Sequence, residues 1–202
     1  MTGWRDIGNG LYRRDYPDYG AYLAHQASKL DAVTPANLRE LDEALFQALC
    51  DRLPDLAGRR ALCLGARLGG EVRAMRWRGA HAFGVDLNPG PENKFVVYGD
   101  FHKPPVPDNS VDLIYTNSLD HIFSLWSFLD DVRRVLDIGG KFVVEVPRGL
   151  AEGRHPGSYE SFAWDELHHI IDAISDFDGL EFHRSWSFGQ PWPGDQLWFT
   201  RS

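Results

Sequence analysis

Four short segments carry glycines and carboxylates in a spacing suited to handling a nucleoside. The first, Leu62-Cys63-Leu64-Gly65-Ala66-Arg67-Leu68-Gly69-Gly70-Glu71, is an apolar run entering a glycine turn that opens a helix. Glycines there let a ligand approach the backbone, and a helix N-terminus offers N–H donors and partial positive charge to a carboxylate or phosphate. Alone, this pattern also fits a purely structural turn. The second, Gly84-Val85-Asp86-Leu87-Asn88, places Asp86 21 residues beyond Gly65 at the end of the next apolar run. A carboxylate at that place accepts from both hydroxyls of a ribose, and its coupling to the glycine turn makes the signal stronger than either part. The third is Tyr98-Gly99-Asp100-Phe101, where Asp100 can accept from an adenine amino group and Phe101 can pack near the ring. The fourth, running from Asp112 to His121 through Asn117, Ser118 and Asp120, passes from apolar to polar where a reacting centre would lie.

These segments need elements to hold them. Ala61 to Leu64, Ala82 to Val85, Phe95 to Tyr98, Val111 to Tyr115 and Phe142 to Val146 are short apolar runs of buried-strand type, and they alternate with helical patterns. Alternation of that kind predicts a parallel sheet, with ligands beyond the carboxyl ends of its strands. Phe123 to Leu136 carries a helical apolar face, with Gly139-Gly140 expected to end the helix. A further helix is expected around Trp164 to Ile174. Leu180 to Phe188 and Gln196 to Thr200 form an antiparallel pair joined through Pro191-Trp192-Pro193-Gly194. The first 57 residues predict a helical preface to a core over residues 58–202, one domain overall. Within the preface, Thr34-Pro35 starts a helix whose Leu38, Leu41, Leu45 and Leu49 make a stripe to dock on the sheet. Tyr19 to Leu30 is a shorter helix, with Leu23 and Ala27 on one side and Tyr22, Gln26 and Lys29 on another.

The chain has 202 residues, 43% of them hydrophobic and 25% charged, which fits a single globular core. No apolar run approaches the roughly 18 residues that a membrane span needs. The start, Met1-Thr2-Gly3-Trp4-Arg5-Asp6, has no basic stretch followed by an apolar one, so a cytoplasmic location and no membrane partner are expected. A formal net charge of −8 without a clustered basic face argues against nucleic acid and for a small-molecule partner. Cys50 and Cys63 lack Cys-x-x-Cys spacing and sit among apolar residues, as core positions do. The adjacent His168 and His169 diverge by about 100° on a helix, and no spacing completes a metal set.

Taken in order, the glycine loop, Gly84-Val85-Asp86, Tyr98-Gly99-Asp100, the Asp112 strand, Phe128 to Leu136 and Gly139 to Glu145 resemble the class I methyltransferases over about Ala61 to Val146. The resemblance implies an α/β, Rossmann-like, doubly wound and mostly parallel seven-stranded sheet with an antiparallel last strand, preceded here by N-terminal helices. It implies S-adenosylmethionine as cofactor. Gly65, Ala66, Arg67 and Gly69 would line its methionine moiety, Asp86 its ribose and Asp100 its adenine amino group. Leu87 and Phe101 would flank adenine and Asn117 would stand near the sulfonium, with Asn88, Gly99, Ser118, Gln26 and Lys29 in the same cofactor set. The loop departs from the family pattern in having Cys63 in place of an acidic residue and Arg67 in place of a glycine; Arg67 can pair with a ligand carboxylate or obstruct the pocket.

A sulfonium methyl is already activated, so alignment and exclusion of water carry much of the catalysis. A hydroxyl acceptor would benefit from a base, and His121 is best placed for it, unless it merely packs the following helix. Tyr22 and His25, on a helix resembling the family's N-terminal lid, and Arg148, His155 and Tyr159, in the irregular stretch after the fifth strand, are candidate acceptor contacts. The acceptor expected is a hydroxyl or carboxyl oxygen of a small molecule, since Asn117-Ser118-Leu119-Asp120 lacks the Asx-Pro-Pro-aromatic run of base methylases. Two other readings share parts of the pattern. A nicotinamide oxidoreductase would need a Gly-x-Gly-x-x-Gly spacing that is absent. A non-catalytic binding or regulatory relative of the methyltransferases would fit the Arg67 departure.

Overall fold

The computed structural model describes residues 3–29, 35–90 and 92–202. Strands β1 (Trp4–Gly8) and β2 (Leu11–Arg14) come first, followed by helices α1 (Tyr19–Ala27) and α2 (Pro35–Arg52). The alternating part runs β3 (Arg60–Leu64), α3 (Gly70–Trp77), β4 (His81–Asp86), β5 (Val96–Tyr98), β6 (Val111–Thr116), α4 (Leu125–Val135) and β7 (Leu136–Val146). It closes with β8 (Phe162–Trp164), α5 (Leu167–Ser175), β9 (Leu180–Phe188) and β10 (Gly194–Arg201).

The main sheet has seven strands in the order β5-β4-β3-β6-β7-β10-β9. The strands from β5 to β7 pair in parallel, and β10 runs antiparallel to both neighbours. Because strand side chains alternate between faces, each strand feeds two cores. Leu62, Leu64, Ile114, Phe142 and Val144 pack with α4 and α5 on one side. Ala61, Cys63, Leu113, Tyr115 and Val143 pack with α2 and α3 on the other. Burial on both faces is why these strands read as continuous apolar runs, and each large apolar side chain so buried contributes about 1.5–3 kcal/mol. The chain steps outward from β3 to β5 and then returns to β6, so the crevice of a doubly wound sheet lies beyond the ends of β3 and β6.

Several expected boundaries are corrected. The preface is not helical throughout: β1 and β2 form a hairpin through Gly8-Asn9-Gly10, all three with positive φ, and β2 pairs with β8. This second sheet ties the start of the chain to the segment after β7. Gly139-Gly140 does not end the helix of Phe123 to Leu136, which stops at Val135. Both glycines lie inside β7, where Gly139 at φ +78° carries a bulge between Leu136, paired with Val111, and Lys141, paired with Leu113. Trp164 belongs to β8, and the helix after it begins at Leu167. In α2, Leu45 and Leu49 are buried as expected, whereas Leu41 is 51% exposed. In α1 the faces are reversed: Tyr22 and Gln26 are the buried residues, because their hydroxyl and amide find carbonyls to donate to, at His121 and Tyr159. The expected helix positions Leu30 and Thr34 lie outside the described residues. Among the described residues no helix is long and apolar enough to cross a membrane.

Candidate active site

The loop leaving β3 is fixed by conformation and by space. Gly65 has φ +76°, and a Cβ there would stand 2.7 Å from the Ser118 hydroxyl oxygen, so the position takes only glycine. The Gly65 and Ala66 N–H groups donate to the Val85 carbonyl at 2.9 and 3.3 Å. Arg67 follows at φ +39°, a left-handed conformation costing a non-glycine residue on the order of 1 kcal/mol. Asp86, at the end of β4, holds two turns. Its Oδ2 accepts from the Arg67 N–H at 2.9 Å and its Oδ1 from the Asn88 N–H at 2.6 Å. A carboxylate has about four acceptor sites, so each oxygen retains one.

The N-terminus of α3 is not the open anion site that the glycine turn suggested. Asp42 of α2 accepts from the Gly70 N–H at 2.6 Å and from the Arg73 guanidinium at 2.7 Å. A Cβ on Gly70 would lie 2.3 Å from the Asp42 carbonyl oxygen. The protein's own carboxylate thus caps the helix and fixes α2 against the loop.

Beyond the ends of β3 and β6 opens a cavity of about 460 Å³, within the range of small-molecule sites. The glycine loop (Gly65, Ala66, Arg67) and Asn117-Ser118 form its floor, Leu38, Leu41 and Leu45 of α2 one wall, and Pro147, Trp192 and Pro193 another. A smaller cavity of about 50 Å³ adjoins it at Asp86, Leu87, Asn88 and Gln26, room for one or two waters. Gly65, Arg67, Ser118, Lys29 and His121 border both.

His121, in a short 3-10 turn after β6, is the polar centre of the larger cavity. Its Nδ1 lies 3.0 Å from the Tyr159 carbonyl oxygen and must donate there, which leaves Nε2 as the basic nitrogen. The Lys29 ammonium stands 3.0 Å from Nε2. Burial pushes the His121 pKa below its ordinary value; the Lys29 charge pushes the same way, and the neighbouring Asp120 opposes both. Burial likewise lowers Lys29, to about 8, with the Arg67 charge adding to the effect. Burial would raise the Asp120 carboxyl, but His121, Arg154 and Lys29 outweigh it and hold that group below the usual range. Arg154 bonds Asp120 at 2.5 Å and approaches Glu160 at 3.6 Å. Asp120, His121 and Glu160 bring three ligand atoms within 4.8 Å of one another, a donor set that no sequence spacing indicated. Arg154 and Lys29 already supply the two positive charges that balance its carboxylates.

Of the expected residues, Gly65, Ala66, Arg67, Asp86, Leu87, Asn88, Asn117, Ser118, Gln26, Lys29 and His121 meet at these cavities. Gly69 supports the turn from behind, its N–H donating to Ala66. Gly99, Asp100 and Phe101 border neither cavity. The Tyr19 hydroxyl donates to Asp100 at 2.5 Å, the His102 N–H donates to its other oxygen at 2.9 Å, and Phe101 is buried against His102. Burial would raise the Asp100 carboxyl, but hydrogen bonds from the His102 side chain, the Tyr19 hydroxyl and the His102 N–H outweigh it and hold the group below its ordinary value. The acceptor contacts proposed from sequence do not assemble. Tyr22 is buried beside Tyr19, His102 and Phe123, and His25 stacks on Tyr159 and bonds Tyr16. Tyr159 offers its carbonyl rather than its ring, and Arg148 and His155 are exposed away from the cavity. Sequence reasoning missed Asp42, Glu71, Asp120, Arg154, Glu160 and Trp192 as lining residues. Asp120 was legible as the neighbour of His121; the others reach the cavity only through the packing of α2, α3, the segment after β7 and the turn between β9 and β10.

Residues 62–144 match a family model described as a methyltransferase domain. A sterol 24-C-methyltransferase of Gibberella zeae is 33% identical over 103 residues, covering 43% of this chain. The chain spans 27% of that relative's length. Among solved structures, the 1,6-didemethyltoxoflavin-N1-methyltransferase of Burkholderia thailandensis, with its substrate and S-adenosylhomocysteine bound, superposes with a TM-score of 0.70 at 14% identity, covering 100% of each chain. The geranyl diphosphate C-methyltransferase of Streptomyces coelicolor A3(2) gives 0.60 at 17% identity, covering 83% of this chain and 82% of its own.

Proposed function

From the premise that the chain carries a class I methyltransferase core, we propose that it is an S-adenosylmethionine-dependent methyltransferase acting on a hydroxyl or carboxyl oxygen of a small molecule. The observation that carries this reading is the convergence of the glycine loop, Asp86 and Asn117-Ser118 on cavities at the switch point of the sheet. The residues present fit the cofactor on two sides. Asp86 keeps two acceptor sites for a pair of ribose hydroxyls, and Gly65, packed against Ser118 where a side chain would collide, borders both cavities with its backbone. On the third side, α1 covers Asp100 through Tyr19, so a nucleoside base reaches that carboxylate only when α1 lifts.

When bound, the cofactor supplies an activated methyl group. The chain then has to orient an acceptor oxygen over Asn117-Ser118 and exclude water, a task for which Leu38, Leu45 and Trp192 supply apolar walls. His121, with Nδ1–H held by the Tyr159 carbonyl, presents Nε2 to take the acceptor's proton once the Lys29 ammonium has turned aside. A small acceptor suits a cavity of about 460 Å³, and the small-molecule acceptors of the two structural relatives support that class.

One feature favours binding without turnover: Lys29 occupies the basic nitrogen of His121. An assay of S-adenosylhomocysteine formation over a panel of hydroxyl and carboxyl acceptors separates the two readings. Acceptor-dependent formation, reduced in His121→Asn, supports the enzyme. Cofactor binding with no formation on any acceptor supports the non-catalytic role.

A further inference from the structure

Glu71, in the first turn of α3, is 3% exposed and lines the larger cavity. Among the described residues no other residue donates a hydrogen bond to it, and its carboxyl is met only by its own backbone N–H. Charged and titratable groups face it from every element around it: Asp42 from α2, Asp86 from β4, Arg67 from the loop, Cys63 from β3 and Tyr115 from β6. Two of the acids are already satisfied, Asp42 by Arg73 and the Gly70 N–H, and Asp86 by two backbone N–H groups. Glu71 is the one without a counterpart. Burial lifts its pKa to about 8, so the carboxyl is mostly protonated at neutral pH.

A buried carboxyl with no partner is costly unless something arrives to match it. It faces a cavity, which points to a ligand cation. Beside it, the Arg67 guanidinium forms no side-chain hydrogen bond or ion pair among the described residues, although its backbone is held in a strained left-handed conformation. The two groups are near enough for the Arg67 charge to lower the Glu71 pKa, and both line the larger cavity, where Glu71 becomes the negative partner of Arg67 once it gives up its proton. A zwitterionic amino-acid group, with an ammonium and a carboxylate on one carbon, matches that pair.

We infer that Glu71 receives the α-ammonium of the amino-acid end of the cofactor, a role that rests on the S-adenosylmethionine reading. Its proton leaves to solvent as the ammonium arrives, and the resulting carboxylate accepts from that ammonium. Arg67 takes the adjacent carboxylate.

The test compares two probes by calorimetry: S-adenosylhomocysteine, which carries the amino-acid end, and 5′-methylthioadenosine, which lacks it. Glu71→Gln keeps the volume and removes the charge. We expect it to weaken S-adenosylhomocysteine binding about ten- to hundredfold and to leave 5′-methylthioadenosine within about twofold. The wild-type protein gives a second readout that needs no variant. Titrations at pH 7 in two buffers of different ionisation enthalpy should show release of most of one proton with S-adenosylhomocysteine and none with 5′-methylthioadenosine. Equal weakening of both probes, or no weakening with no proton release, overturns the role of Glu71 while leaving the cofactor assigned. Failure of both nucleosides to bind the wild-type protein overturns this inference together with the cofactor reading.

Discussion

Asp86→Asn is the substitution whose effect the geometry fixes most closely. Asp86 holds two backbone N–H groups, from Arg67 at 2.9 Å and Asn88 at 2.6 Å, one on each oxygen. An asparagine keeps one oxygen, so its NH₂ must face one of those two N–H groups, donor against donor. It also loses the negative charge and one of the two acceptor sites left for a ribose. Each hydrogen bond to a charged group contributes about 1.5–3 kcal/mol, and leaving a buried donor unsatisfied costs about 1–3 kcal/mol. Part of the second cost falls on the free protein, so the binding loss is on the order of 2–4 kcal/mol. That corresponds to a roughly 30- to 1,000-fold rise in the Kd for S-adenosylhomocysteine, read by calorimetry. A thermal melt of the same variant reports the loop's share. An unchanged Kd in a folded variant would refute the reasoning and reduce Asp86 to a turn cap.

The Arg52 guanidinium bonds both oxygens of Glu145, whose side chain is fully buried, so Arg52→Ala should destabilise the fold by about 3–5 kcal/mol and lower Tm by on the order of 10 °C by calorimetry. Gly70→Ala drives a Cβ to 2.3 Å from the Asp42 carbonyl and should cost about 1–3 kcal/mol or more, with α2 displaced and S-adenosylhomocysteine binding weakened in a titration. For His121, a folded-state pKa below that of the unfolded chain means that the unfolded state binds the extra proton. The residue's contribution to stability is therefore full above about pH 6.5 and lost as pH falls below it. Urea unfolding at pH 5 and pH 7.5 should show that acid-side loss shrinking in His121→Asn, and the acid limb of kcat/KM should lie below pH 6.5.

The sheet was legible because its strands are buried on both faces and so appear as continuous apolar runs between helical patterns, and because Gly65 and Asp86 sit at two strand ends 21 residues apart. The hairpin at Trp4–Arg14 was missed, although Gly8-Asn9-Gly10 carries the turn chemistry for it, because its first strand is mostly exposed, its second only partly buried, and neither shows apolar alternation. Gly139-Gly140 was misplaced because a glycine pair marks a helix end and a bulge equally well. Within the site, the glycine turn and Asp86 followed from spacing, and the other loop positions from the family resemblance. The capture of Asp100 by Tyr19, of the α3 N-terminus by Asp42 and of His121 by Lys29 involves partners 81, 28 and 92 residues away, contacts that no local pattern encodes.

The most direct test is a calorimetric titration of the purified protein with S-adenosylhomocysteine and, separately, with NADH. Micromolar binding of S-adenosylhomocysteine and none of NADH is the predicted result. Binding of NADH in its place, or of neither ligand, would contradict the assignment of the site.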